Sequence, residues 1–63
     1  MARLRQFIVS ASAGQGGIRC GTYTAENPEE AIAMAQGAKA RWAAVQLDVE
    51  EDDLMWEVEE DVL

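Results

Sequence analysis

Sixty-three residues, a net charge of −7 and a single cysteine exclude a good deal at once. A chain this short makes one domain, residues 1–63, and buries only about 60% of its unfolded surface, so an enclosed pocket beside a core is not expected. One cysteine cannot form an internal disulfide, and with no histidine the commonest general base and zinc ligand is missing, so no catalysis, cofactor or metal is expected.

Arg3 and Arg5 precede only the short apolar run Phe7-Ile8-Val9, too brief for a secretory signal. No run of eighteen apolar residues follows, so no membrane span is expected. These features, with the free thiol, point to the cytoplasm. Residues 6–11 read as a strand with Phe7 and Val9 on one face and Ile8 on the other. Ala13-Gly14-Gln15-Gly16-Gly17 reads as a hairpin turn. A phosphate loop would need Lys-Ser/Thr after the glycines and a helix beyond. Residues 18–24 form the second strand, with Ile18, Cys20 and Thr22 on one face and Arg19, Gly21 and Tyr23 on the other. Cys20 has no histidine to activate it and is read as a core residue.

Asn27-Pro28-Glu29-Glu30 starts a helix: Asn27 caps, Pro28 needs no donor in the first turn, and the glutamates meet the positive end of the dipole. The helix is expected to reach Arg41 or Trp42, with Ala31, Met34, Ala35, Ala38 and Trp42 inward, Ile32 on the flank, and Lys39 and Arg41 in the last turn. Val45, Leu47 and Val49 alternate with polar residues as in a half-buried third strand, and Leu54, Trp56 and Val58 as in a fourth. Residues 60–63 are expected to fray. The fold class is α+β: an antiparallel sheet of about four strands, β-β-α-β-β, with one helix on one face. The other face would show Ile8, Ser10, Arg19, Tyr23, Gln46, Asp48, Met55, Glu57 and Glu59.

Charge is polarised along the chain. Residues 1–25 carry three arginines and no acid, residues 26–47 carry −1, and residues 48–63 carry nine acids and no cation. A run of this kind can be a solvated face. Here the acids alternate with Leu54, Trp56 and Val58, so a strand would hold them, two residues apart and about 6.6–7 Å distant. Such an array resembles a phosphate backbone, and holding it costs stability through self-repulsion. Other readings are weaker. A calcium loop from Asp48 puts Asp53 where the turn glycine belongs. A glycosidase carboxylate pair has nothing to enclose a sugar. Trp42 and Trp56 lie on apolar stripes and read as core rather than as base-stacking residues, since a nucleic-acid binder needs a basic footprint.

The stretch Gly21-Thr22-Tyr23-Thr24-Ala25-Glu26-Asn27-Pro28-Glu29-Glu30-Ala31, a strand leading through a capped turn into an alanine-rich helix, together with the acidic C-terminal strand pair, resembles small phage-encoded anti-CRISPR proteins in architecture and charge. The resemblance implies a non-enzymatic inhibitor in the cytoplasm of a bacterial host. It would bind a Lys- and Arg-lined DNA or guide channel of a CRISPR surveillance complex and block DNA loading, as a monomer and without contacting nucleic acid or membrane. The residues expected at that interface are Glu50, Glu51, Asp52, Asp53, Glu57, Glu59, Glu60 and Asp61, with Tyr23 and Met55 as an apolar centre. The alternative is a small dimerising or antitoxin-like module that pairs through a strand edge or the uncovered face, burying Tyr23 and Met55.

Overall fold

The computed structural model describes residues 3–61. Strand β1 (Arg5–Ala13) and strand β2 (Gly16–Ala25) form a hairpin, helix α1 (Pro28–Leu47) crosses back over it, and a 3₁₀ turn (Glu51–Asp53) leads into strand β3 (Met55–Glu60). The sheet is antiparallel, in the order β2-β1-β3. The protein is therefore an α+β domain with one helix on one face of its sheet, as expected. Among the described residues the strands number three, arranged β-β-α-β.

The hairpin loop is two residues, Gly14 and Gln15, with Gly14 at φ +59°. Positive φ at the first loop residue alone is the type II′ pattern, whose twist matches the flanking strands. At the helix start, the Asn27 Oδ1 accepts from the Glu30 N–H at 2.8 Å and Pro28 occupies the first turn. Both features follow the sequence reading.

The expected third strand over residues 45–49 is corrected. The helix does not stop at Arg41 or Trp42 but runs to Leu47. Asp48 then adopts the left-handed conformation (φ 56°, ψ 50°). The Val49 N–H donates to the Ala44 carbonyl at 3.0 Å and the Asp48 N–H to the Val45 carbonyl at 3.2 Å, the two bonds of a Schellman cap. Val49 then packs against the cluster that contains Ala44. Asp is one of the few residues that tolerate this conformation. Val45, Leu47 and Val49 thus mark a helix end and its apolar clasp rather than an alternating strand. Lys39 and Arg41 accordingly lie upstream of the last turn, which holds no basic residue.

The longer helix also fixes its own rotation. Ala31, Ala35, Ala43 and Ala44 are buried, with Ile32, Lys39 and Leu47 half-buried. Met34, Ala38 and Trp42, expected inward, face solvent. Once residues 43, 44 and 47 join the helix, the inward stripe follows them, and alanines let the helix lie close on the sheet. Trp42, 39% exposed, carries the Lys39 Nζ 4.9 Å from its ring centroid.

The core is thin. Phe7 and Val9 are its largest fully buried side chains. One cluster joins Phe7, Val9, Ala25, Ala31 and Ala35. A second joins Ala11, Cys20, Ala43, Ala44 and Leu54. Trp56 packs against both, as its place on an apolar stripe suggested.

Candidate functional site

Two features of the sheet decide which side chains can meet a partner. The first is a bulge in β2. Val9 pairs with Gly21 and Ser10 with Arg19, leaving Cys20 as an extra residue. One inserted residue reverses which face every later side chain takes. Gly21 accommodates the distortion at φ +120°, a conformation that glycine adopts readily. From Gly21 onward the expected faces of β2 are therefore exchanged: Tyr23 pairs with Phe7 and packs against the covered core, whereas Thr22 pairs with Ile8 on the open side. This corrects the placement of Tyr23. Its hydroxyl donates to the Cys20 carbonyl at 2.9 Å, which ties the strand across its own bulge. Cys20 itself is buried, as expected. Burial pushes the Cys20 thiol and the Tyr23 hydroxyl above their ordinary values, so Cys20 carries less thiolate at neutral pH than a free thiol would.

The second feature is the route of residues 48–61. Val49 and Leu54 anchor both sides of the 3₁₀ turn in the second core cluster. The turn is closed by the Asp53 N–H to the Glu50 carbonyl at 3.0 Å and the Leu54 N–H to the Glu51 carbonyl at 3.2 Å. Glu50, Glu51, Asp52 and Asp53 are all exposed on it. Arg41 shares with Asp48, Glu50 and Glu51 a shallow hollow of about 320 Å³. The expected acidic strand pair is therefore a pinned turn followed by one strand.

In β3, alternation divides the acids. Glu57 pairs with Ser10 and Glu59 with Ile8, so both lie on the open face. Met55, opposite Ser12, stands there too and is 70% exposed. Trp56 and Val58 face the helix. Glu60, opposite Phe7, is taken up within the fold. Its Oε1 accepts from the Arg5 Nη1 at 2.9 Å, while Nη2 donates to the Glu26 carbonyl at 3.1 Å. The Arg5 guanidinium also lies 5.2 Å from the Phe7 ring centroid. Arg5 thus joins the end of β3 to the turn before α1, a contribution to the site that charge counting missed. Asp61 is half-buried, and its N–H donates to the Gln6 carbonyl at 2.8 Å. Of the residues expected to fray, Glu60 and Asp61 are thus held, and 62 and 63 lie outside the described residues.

Gln46 and Asp48, expected on the open face, belong to the helix end. That face is instead built by Ile8, Ser10 and Ser12 from β1, Arg19, Thr22 and Thr24 from β2, and Met55, Glu57 and Glu59 from β3. Tyr23 and Met55 lie on opposite sides of the sheet, so they do not form one apolar centre. Among the described residues, Glu60 is the only carboxylate ion-paired within 4 Å, and no group of three His, Cys, Asp or Glu side chains is arranged to hold a metal ion. Among the described residues no helix is long and apolar enough to cross a membrane. No family model, curated protein or solved structure matches the chain.

Proposed function

We propose that this protein is a non-enzymatic inhibitor that binds a cationic, nucleic-acid-handling surface of another protein. A CRISPR effector complex, with its target-DNA channel blocked, is the target that the sequence resemblance puts forward. One observation carries the reading. Seven carboxylates, Asp48, Glu50, Glu51, Asp52, Asp53, Glu57 and Glu59, are exposed within twelve residues, on a backbone fixed by the helix cap, the turn bonds and the β1–β3 ladder. Repulsion among fixed like charges disfavours the folded state, and a cationic partner relieves it. Complementary charge also speeds association and selects partners. The dimerising or antitoxin-like alternative draws support from β2, a ten-residue edge strand that offers unpaired backbone groups to another chain.

The test is inhibition of target-DNA binding by a purified effector complex, measured across a salt series. The expected result is inhibition that weakens steeply with salt and is lost in the triple variant Glu51→Lys, Asp52→Lys, Asp53→Lys, with the circular dichroism spectrum unchanged. Inhibition that survives the triple variant contradicts the reading. Sedimentation showing a tight homodimer at micromolar concentration favours the alternative.

A further inference from the structure

The open face has a definite relief. Ile8, Ser10, Arg19, Glu57 and Glu59 line a shallow trough of about 430 Å³ on it. Its floor is β1, where Ser10 is small and Ile8 is half-buried. One wall is Arg19 on β2 and the other is Glu57 and Glu59 on β3, with Arg19, Ser10 and Glu57 in one row across the sheet. The walls stand two strand spacings apart, roughly 9.5 Å, close to the roughly 10 Å diameter of an α-helix. Exposed Met55 adds an apolar contact at one end. A helix already covers the opposite face, and laying a second one here completes a three-layer arrangement.

We infer that this trough docks a cationic amphipathic helix of a partner protein, with two Lys or Arg residues four positions apart seated on Glu57 and Glu59. Charge complementarity selects that occupant. The two glutamates are two strand residues apart, roughly 6.8 Å, and positions i and i+4 of a helix rise about 6 Å. Arg19 asks for a carboxylate on the far flank of the same helix, and the small floor asks for small or apolar residues between. A second copy of this chain does not meet the requirement. Its five cations, Arg3, Arg5, Arg19, Lys39 and Arg41, include no pair four apart, and its net charge is −7. The inference rests on the proposed binding of a cationic surface and adds the secondary structure and spacing of what is bound.

The test is a titration of ¹⁵N-labelled protein at low salt with two synthetic helical peptides of equal composition. One carries Lys at i and i+4 with Glu on the opposite flank; the other carries the lysines out of that spacing. The expected result is amide shifts centred on Ile8, Ser10, Arg19 and residues 55–59, at least tenfold tighter binding of the first peptide, and loss of that preference in Glu57→Gln/Glu59→Gln. Shifts centred on residues 50–53 with equal affinity for both peptides overturn the inference and leave the proposed function standing. Binding that the Glu51→Lys/Asp52→Lys/Asp53→Lys variant and the Glu57→Gln/Glu59→Gln variant both leave unchanged overturns the two together, whereas the absence of binding to either peptide overturns the inference alone. Self-association that buries the trough assigns it to a second copy and also overturns the inference.

Discussion

The two faces of the sheet are built from alternate residues of the same three strands, yet they obey different rules. On the covered face Phe7, Val9, Ala11, Cys20 and Ala25 are buried beneath α1, and the Tyr23 hydroxyl finds its acceptor within the fold. On the open face Ile8 and Ser10 are half-buried, while Arg19, Glu57 and Glu59 are free of ion pairs within 4 Å among the described residues. The comparison separates what holds the domain from what it can offer. With so thin a core, stability depends on the covered face. The open face can vary in charge at little cost to the fold, which suits recognition.

The sharpest contrast lies between adjacent residues. Phe7 is 1% exposed, and Phe7→Ala is expected to cost about 3–5 kcal/mol. A domain of this size has roughly 3–9 kcal/mol of stability in all, so the variant loses its cooperative thermal transition by circular dichroism. Ile8→Thr, one residue away on the open face, keeps a β-branched side chain and is expected to cost about 1 kcal/mol or less. Equal losses at the two positions would erase the division between the faces.

The bulge is the next test, since it sets which side chains belong to which face. Gly21→Ala places its Cβ at an ordinary 3.6 Å from the Tyr23 ring, so the penalty is backbone strain at φ +120°, about 1–3 kcal/mol in urea denaturation. An unchanged midpoint would mean that the face exchange is not fixed there. Alkaline pH probes the covered face. Burial raises both the Cys20 and the Tyr23 ionisation above their ordinary values of 9.0 and 10.0, so above those values the unfolded chain loses these protons more readily than the folded one. Stability from this source is intact below about pH 9 and falls as pH rises through the folded values. In Cys20→Ala, urea midpoints at pH 8 and pH 10 are expected to differ less than in the parent. The smallest effect is a gain. Gly37 is exposed within α1, and a methyl group added there meets nothing within 4 Å. Gly37→Ala is expected to add about 0.5–1 kcal/mol while leaving partner binding unchanged.

Much of this was legible in local chemistry. Asn27-Pro28 announced the helix start, Gly14 the hairpin, the alternation at Phe7, Ile8 and Val9 the faces of β1, and the placing of Glu57 and Glu59 against Trp56 and Val58 the division of β3. The departures arose where one pattern fits two structures. Val45, Leu47 and Val49 satisfy a strand period over five residues, and a run that short does not separate strand from helix. The left-handed Asp48 that ends the helix carries no glycine to mark it. The bulge at Cys20 is a property of pairing between strands, invisible in β2 alone, and it moved Tyr23 to the other face. Glu60 looked like its acidic neighbours, and its partner Arg5 is 55 residues away in the chain.

The central claim is that the acidic segment is a fixed part of the fold, so that its charges keep set positions for a partner. Backbone ¹⁵N relaxation tests it most directly. Order parameters across residues 49–60 equal to those of β1, about 0.85 as in rigid backbone, are the predicted result. Values below about 0.6 over the turn and β3, as in flexible chain, would contradict it.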